Sequence, residues 1–394
     1  MKKIGLLPRI IVAIALGIII GLIAPNAIIR LFATFNMLFG NFLQFMIPLI
    51  IIGFIAPGIG MMGKGAGKML AVTTGFAYTS TIAAGLLAFF TAKTLYPSLL
   101  TNQAQESFSN PEEALLPSFF QMDMPPVMEV MTALLLAFTI GLGLTAIKGN
   151  ALQNMMNDFK DIIEKVINVV IIPLLPIHIL GIFANMTQGG QIASIISVFA
   201  KVFALIILLH LTMLFIQYSI AGSASRKNPL KLMKTMLPAY FTALGTQSSA
   251  STIPVTVAQT KKLGVKEKVA DFSVPLLATI HLSGSTITLV CCAMAVMVLQ
   301  GGTASLSAML PFILMLGVTM IAAPGVPGGA VMAALGLLET MLGFSDAMLA
   351  IMIALYLAQD SFGTACNVTG DGAITLLADC FSPDEQEATQ KRAA

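Results

Sequence analysis

The chain has 394 residues, of which 57% are hydrophobic and only 10% are charged, and its mean hydropathy is +0.91. Soluble domains contain about 25% charged residues, so this composition excludes a soluble globular protein and indicates a protein of the lipid bilayer. The net charge is +3, and no acidic or basic tail of the kind that binds nucleic acid is present, so no nucleic-acid partner is expected.

The first predicted element is an apolar run at 7–25 that follows two lysines. It is similar to a signal peptide, but it is longer than the roughly 7–15 residues of a signal h-region, and no A-x-A-type cleavage site follows it. About 20 apolar residues cross the hydrocarbon core as a helix, so we expect a retained first span. The same criterion predicts eight spans, at 7–25, 36–62, 69–95, 125–147, 161–186, 190–220, 267–300 and 347–379.

Basic residues decide the expected orientation. With eight crossings, most lysines and arginines fall on one side of the membrane: near both termini and in the connections after spans two, four and six. The positive-inside rule then places both termini in the cytoplasm of a multi-pass plasma-membrane protein. The polar segment 96–124 contains no lysine or arginine and is expected to be extracellular.

Two apolar stretches, 228–262 and 303–345, do not fit the pattern of single crossings. Lysines flank the first, and its polar centre GTQSSAST leaves two arms of roughly 10–12 residues. Each arm covers about half of the ~30 Å core, so a re-entrant hairpin from the cytoplasmic side is predicted. The Gly/Pro-rich APGVPGGA divides the second stretch, which predicts a hairpin from outside. Two interrupted segments, each followed by a long span, are typical of an inverted-repeat transporter with its site at the breaks.

The last two spans carry the polar residues. Span seven contains LATIHLSGSTITL, in which Ser283–Ser285 are expected to unwind the helix locally and to free carbonyl groups for a cation. Span eight carries Asp360, Thr364, Asn367 and Asp371. Their spacings of four, three and four place these side chains on one face of a helix.

The two aspartates are the strongest functional signal. A carboxylate at the centre of a membrane costs about 2.5–3.5 kcal/mol on insertion scales, and neither span eight nor the second hairpin contains lysine or arginine. We therefore expect an external cation here: a metal ion, a proton or the ammonium group of a substrate. His281 is left open between a proton relay, a ligand and a structural hydrogen bond, whereas His178 and His210 are interpreted as structural.

Two membrane aspartates are also the hallmark of an intramembrane aspartyl protease, whose carboxylates must lie close enough to share a proton. Here they are eleven residues apart on one helix, about 16 Å along its axis, so an enzyme of this kind is not expected. A passive channel is less compatible than alternating access with two interrupted hairpins around a central polar site.

Three motifs, NVTGD (Asn367–Asp371), SSASTIPVT (Ser248–Thr256) and GVPGGA (Gly325–Ala330), together resemble those of the dicarboxylate/amino acid:cation symporters. This family includes glutamate and aspartate transporters, neutral amino acid exchangers and bacterial serine/threonine symporters. The resemblance implies an all-α membrane protein with eight transmembrane helices and two re-entrant hairpins, which forms a homotrimer and works as an elevator. It implies a fixed scaffold at 1–68 and 125–187, a moving transport domain at 69–95 and 188–382, an extracellular loop at 96–124 and a cytoplasmic tail at 383–394.

The resemblance also implies a substrate site. Asp360 corresponds to the carboxylate that binds the substrate amino group, Asn367 to the residue that holds its main carboxylate, and Thr364 lies beside the substrate. Ser285 corresponds to a hydroxyl near the substrate carboxylate, and the hairpin tips contribute main-chain contacts. The implied substrate site comprises Gln247, Ser248, Ser249, Ser285, Val326, Gly328, Asp360, Gly363, Thr364 and Asn367.

The co-transported ion implied by the resemblance is Na⁺, with H⁺ as an alternative, and no cofactor is expected. The implied cation sites are Asp371 with Asn367, Leu277 and His281; the carbonyls of Thr279 and Ala323; and a third site at Thr79, Ser80 and Ser283. The third site is expected to be altered, because the family's NMDG sequence is HLSG here, at 281–284, and its tyrosine is replaced by Phe76.

Two further departures from the family pattern indicate the substrate. Members that carry acidic substrates have an arginine at the position of Gly363 or at the first hairpin tip, where this chain has Gln247. A buried substrate carboxylate would lack its guanidinium partner at a high energetic cost, and Gly363 is expected to leave volume for an apolar or small hydroxylated side chain. We therefore expect a sodium-coupled symporter of a neutral amino acid, either serine-, threonine- or alanine-like or branched-chain.

Two alternatives remain open. The first is a proton-coupled or sodium-independent transporter or exchanger with an altered ion site at His281 and Ser283. The second, less favoured, is a symporter of acidic amino acids or dicarboxylates, because the arginine that would pair with the extra carboxylate is missing.

Overall fold

The structure is a computed structural model that describes residues 6–62, 67–104, 115–190, 192–320 and 328–381. These residues form helices and connecting segments without a strand among them, which confirms the all-α prediction. The helices in chain order are α1 (Leu6–Ile23), α2 (Asn26–Met62), α3 (Gly67–Ala104), α4 (Val130–Ala146), α5 (Ala151–Val166), α6 (Ile172–Gln188), α7 (Ile192–Ser225), α8 (Pro229–Thr246), α9 (Ser249–Lys262), α10 (Glu267–Ile280), α11 (Ser283–Leu299), α12 (Leu306–Thr319), α13 (Gly329–Leu342), α14 (Asp346–Leu357) and α15 (Asp360–Cys380).

The helix lengths agree with a multi-pass membrane protein. A π-helical turn, Ile167–Ile171, joins α5 to α6 in one run of 38 residues. Within the described ranges, five helical runs are long and apolar enough to cross a membrane, or six if the bent pair α14–α15 is counted as one span. The eight predicted spans are therefore supported in part, and their number stays a prediction.

Two helices near the N-terminus extend beyond the predicted spans. α2 begins at Asn26, well before position 36, and α3 continues to Ala104, past the predicted end at 95. The extra turns of α3 are held because Tyr96 is buried and donates a hydrogen bond of 2.9 Å to the Cys291 carbonyl. The segment predicted as a loop from residue 96 therefore starts as a helix.

Spans seven and eight each consist of two helices. α10 and α11 are separated at His281–Leu282, so Ser283–Ser285, where unwinding was expected, instead form the first turn of α11. α14 and α15 are separated at Ala358–Gln359 and bent by 59°, so the span predicted at 347–379 is a bent helix pair, and its crossing of the membrane as one span stays a prediction. Each break leaves N–H groups at a helix start without intrahelical partners.

The two stretches predicted as hairpins are pairs of packed helices. Gln247, in a left-handed conformation (φ 54°), and Ser248 join α8 to α9, and the Ser248 side chain caps α9 by accepting from the Ser251 N–H. The second pair is α12 and α13, and α13 begins after Gly328. Entry of the two pairs into the membrane from opposite sides stays a prediction.

The helices pack in two groups. In the first, α1 packs against α6, and α2 packs against α4, α5 and α6. In the second, α15 is surrounded by α7, α8, α9, α10 and α11, while α3 packs against α11 and α12. The groups meet where α13 contacts α2 and α14 contacts α6. The polar stripe on α15 thus lies inside the second group, and the predicted domain boundaries stay predictions.

Candidate functional site

The polar stripe lies on α15 and is buried. Asp360 is the first residue of this helix, and Asp360, Thr364, Asn367 and Asp371 are each no more than 6% exposed. Buried polar groups in proteins are nearly always hydrogen-bonded. The partners of these side chains therefore define what the site can hold.

Asp360 receives a hydrogen bond from the second helix pair. The Gly328 N–H donates to Asp360 Oδ2 at 2.7 Å. Gly328 has a left-handed backbone (φ 77°), and a Cβ atom there would lie 2.8 Å from Leu357 Cδ2. Only glycine brings the N–H to this position without strain, so the start of α13 depends on glycine to contact the carboxylate.

The Tyr356 hydroxyl is a second polar group beside Asp360. Tyr356 is fully buried and its hydroxyl lies close to both Asp360 and Ser285, yet it makes no hydrogen bond of good geometry with any described residue. The hydroxyl therefore belongs to the polar groups that surround the start of α15. Our sequence reasoning missed Tyr356, although a tyrosine in an apolar run four residues before Asp360 is a usable signal.

Asn367 joins α15 to the start of α11. Its Oδ1 accepts from the Gly284 N–H (2.7 Å) and the Ser285 N–H (3.2 Å), and its Nδ2 donates to Ser285 Oγ (2.9 Å). The Asn367 side chain, on α15, therefore caps the N-terminus of α11. Two residues of the predicted substrate site, Asn367 and Ser285, are thus in contact.

Gly363 on α15 faces the first turns of α11. A Cβ atom on Gly363 would be in ordinary contact with α11, 3.5 Å from both Ser285 N and Thr288 Oγ1. On the other side, a Cβ atom on Gly284 would lie only 2.5 Å from the Gly363 carbonyl oxygen. The two glycines allow close packing of α11 against α15, and the predicted volume for a substrate side chain beside Gly363 stays a prediction.

Asp371 is paired with His281. The distance between His281 Nδ1 and Asp371 Oδ1 is 2.9 Å, and both side chains are at most 1% exposed. Among the described residues, no lysine or arginine forms an ion pair with Asp360 or Asp371. The polar partner of Asp371 in this part of the chain is therefore a histidine, His281, which the resemblance had placed in the same cation site.

The other ring nitrogen of His281 contacts a polar cluster. His281 Nε2 is 3.0 Å from Ser80 Oγ, and Gln217 Nε2 donates to Ser80 Oγ (2.9 Å) and to Ser283 Oγ (3.1 Å). We call Ser80, Gln217, His281, Ser283 and Asp371 the His281 cluster. Sequence reasoning had singled out all of these except Gln217, whose position within the apolar sequence LFIQYSI of α7 was the available signal.

Some predicted cation ligands lie elsewhere. Thr79 is exposed on α3, next to Phe76, and is not part of the His281 cluster. Thr279 is also exposed, and its hydroxyl donates to the Leu276 carbonyl of its own helix. Leu277 is buried and its carbonyl accepts from the His281 N–H at 2.9 Å. Ala323 and Val326 lie outside the described residues.

The first hairpin tip and the remaining histidines have local partners. Gln247, Ser248 and Ser249 are partly exposed at the α8–α9 junction, and both helices pack against α15. His210 Nε2 contacts the Gly284 carbonyl (3.0 Å), and His178 Nδ1 contacts Asn36 (3.2 Å). These contacts support the structural reading of His178 and His210.

Comparison with known proteins identifies relatives over nearly the whole chain. The model of the sodium:dicarboxylate symporter family matches residues 6–381. The serine/threonine transporter SstT of Acinetobacter baumannii (strain AYE) is 28% identical over 401 residues, covering 97% of this chain and 98% of the relative. The serine/threonine transporter SstT of Streptococcus suis (strain 05ZYH33) is 28% identical over 346 residues, covering 84% of this chain and 94% of the relative.

Proposed function

Because the chain belongs to the sodium:dicarboxylate symporter family, we propose that it is a sodium-coupled symporter of a neutral amino acid. The serine/threonine transporters among its relatives support a small hydroxylated substrate, with alanine and branched-chain amino acids as the next candidates. The chain is accordingly a membrane transporter rather than an enzyme.

The observation that carries this proposal is a buried stripe with two carboxylates and no lysine or arginine paired to it in the described ranges. Asp360 binds the ammonium group of the substrate. The Tyr356 hydroxyl, which lies close to Asp360 and Ser285, and the Ser285 hydroxyl bind polar atoms of the substrate. An acidic substrate would bring a further carboxylate that no guanidinium meets, at a high energetic cost in a buried site.

Sodium is proposed to bind at Asp371, with carbonyl oxygens of Leu277, His281 and Asn367 as the other ligands. Oxygen ligands of this kind suit a hard cation. The ion and the ammonium group together neutralise both carboxylates, so the loaded site can cross the membrane without an unpaired charge. The half-loaded site retains an unpaired charge and crosses slowly, which couples the two solutes.

The moving part is proposed to be the helix group around α15, carried as an elevator against the group of α1, α2 and α4–α6 in a homotrimer. The support is the packing, in which the two groups meet mainly through α13 and α14. Gly328, at the start of α13, also contacts Asp360, so the position of α13 can report that the substrate site is filled.

Transport by the purified full chain in liposomes tests this function. An inward sodium gradient should drive accumulation of labelled serine, threonine or alanine, and an equal potassium gradient should not. Labelled aspartate should not accumulate under either gradient. Equal serine uptake with and without the sodium gradient would refute the coupling.

Proton coupling is a second candidate, favoured by the contact between His281 and Asp371. In this case the imidazole holds the coupled cation as a proton. Uptake in the same liposomes would then follow an inward proton gradient and would be insensitive to replacing sodium by potassium.

A further inference from the structure

Positive charge is concentrated at one end of the helix group around α15. Between residues 226 and 271 the chain has eight basic residues and two acidic residues. The positive-inside rule assigns this end of the helices to the cytoplasm, where the membrane leaflet contains anionic lipids. The basic residues are Arg226, Lys227, Lys231, Lys234, Lys261, Lys262, Lys266 and Lys268.

The α7–α8 turn and the α9–α10 turn are held together, so these charges belong to one surface. α8 packs against α7 and α9, and α9 packs against α10. Lys227, in the first turn, donates a hydrogen bond to the Leu263 carbonyl in the second. Glu267 and Asp271 both pair with Lys261, at 2.7 and 2.9 Å. Two carboxylates cannot balance eight cations, so the surface retains positive charge.

Three of the basic residues lie in the α7–α8 turn and the first two turns of α8. Arg226, Lys231 and Lys234 are exposed, and none of them forms an ion pair with a described residue. Lys231 and Lys234 are three residues apart, so their side chains are neighbours on the helix surface. These cations are therefore accessible to an anion from outside the chain.

α8 also presents an exposed apolar stripe beside these lysines. Leu230, Leu237 and Phe241 are 64%, 44% and 62% exposed. With Lys234 they are spaced by four, three and four residues, which places them on one face of the helix. The opposite face packs against α7, α9 and α15. Its buried residues are Leu232, Met236, Ala239 and Ala243.

A comparison with α5 shows that lysines alone do not make such a surface. α5 also carries two lysines, Lys160 and Lys165, but Asp158, Asp161 and Glu164 accompany them. The net charge of α5 is therefore negative, and an anionic group is not favoured there. On α8 no acidic residue is present, so its lysines keep their full effect on a neighbouring anion.

We propose that the α7–α8 turn and α8 form a binding site for an anionic phospholipid. The negative headgroup contacts Arg226, Lys231 and Lys234, and an acyl chain lies along Leu237 and Phe241. A free phosphate has the charge but no chain for the apolar stripe, and a zwitterionic lipid has the chain but no net charge. An anionic phospholipid matches both features of the surface. The inference depends on neither the substrate nor the coupled ion.

Native mass spectrometry of the purified full-length protein counts the lipids that stay bound. The protein is mixed with equal amounts of dioleoylphosphatidylglycerol, which is anionic, and dioleoylphosphatidylethanolamine, which is zwitterionic. We expect the wild type to retain phosphatidylglycerol in preference. In Lys231→Gln/Lys234→Gln this preference should fall about 25-fold, since each basic residue near an anionic lipid surface contributes about fivefold in affinity.

Lys148→Gln/Lys165→Gln is the matched control, because it also removes two exposed lysines, next to and on α5. It should leave the preference for phosphatidylglycerol unchanged. Equal losses in the two variants would overturn the proposal, because the effect would then follow net charge alone. Absence of a preference in the wild type would also overturn it.

The apolar part of the site is tested separately. Leu237→Ser/Phe241→Ser should weaken retention of both lipids and leave the preference between them as it is. Glycerol phosphate, which has the charge but no acyl chain, should not displace phosphatidylglycerol from the wild type. Displacement by glycerol phosphate would overturn the assignment to a lipid. A wild type that does not transport serine would refute the proposed function and would leave these lipid measurements unaffected.

Discussion

The two aspartates of α15 are equally buried but have different surroundings. Asp360 accepts a main-chain hydrogen bond from Gly328, at the start of α13, in the helix pair that also contacts the other helix group. Asp371 is bonded to His281, whose ring is fixed by side chains of α3, α7 and α11. Asp360 is contacted by the start of another helix, which suits a ligand that binds and is released. Asp371 is held by a cluster of buried side chains, which suits a site of constant geometry.

Removal of the imidazole should have the largest effect on stability. His281→Ala leaves the Asp371 carboxylate buried without its hydrogen-bond partner, and loss of a hydrogen bond to a buried charged group costs about 1.5–3 kcal/mol. Equilibrium unfolding of the protein in detergent measures this loss. Asp371→Asn added to His281→Ala should recover part of it, because no charge then remains; simple additivity of the two changes would contradict the pairing.

Removal of the Asp360 charge should have the opposite effect on stability. Asp360→Asn should keep or raise stability, because the buried charge is removed, but should lower serine affinity about 10- to 150-fold, since a charge-assisted hydrogen bond contributes about 1.5–3 kcal/mol. Calorimetric titration with serine at saturating sodium checks the affinity. Unchanged serine binding would show that Asp360 does not meet the ammonium group.

Gly328 connects the turn to Asp360. Gly328→Ala should destabilise the protein by about 1–2 kcal/mol for the left-handed backbone, with an additional loss from the approach to Leu357, and should weaken serine binding. Gly343→Ala is the matched control, because Gly343 also has a positive φ (68°) but no atom lies within 4 Å of its Cβ position. Equal effects of the two changes on serine affinity would argue against a role for the Gly328 contact.

Tyr356 should give the smallest effect on stability. Tyr356→Phe removes a hydroxyl without a well-formed hydrogen bond among the described residues, so stability should change by less than about 0.5 kcal/mol. If this hydroxyl binds the substrate, serine affinity should fall about fivefold, corresponding to one hydrogen bond of about 1 kcal/mol. Loss of stability without loss of affinity would assign Tyr356 to packing alone.

Sequence reasoning found the features that depend on spacing within one helix. The stripe from Asp360 to Asp371 follows from intervals of four, three and four, and the structure places it on α15. The polar centre of 228–262 likewise predicts the break that lies at Gln247–Ser248. Both signals are local, so a single chain is sufficient to detect them.

Features that depend on contacts between distant segments could not be predicted in this way. The bend at Ala358–Gln359 has neither glycine nor proline at the break. The hydrogen bonds of Gln217 to Ser80 and Ser283 depend on α7 packing against α3 and α11, which a hydropathy pattern does not reveal. The close approach of Gly284 to the Gly363 carbonyl oxygen has the same origin, because it depends on how α11 packs against α15.

Calorimetric titration of the purified protein with serine and with aspartate, each with and without sodium, tests the central claim most directly. The account predicts that serine binds only when sodium is present and that aspartate does not bind under either condition. Sodium-independent binding of serine, or binding of aspartate more tightly than serine, would contradict the account of two buried carboxylates neutralised by a cation and an ammonium group.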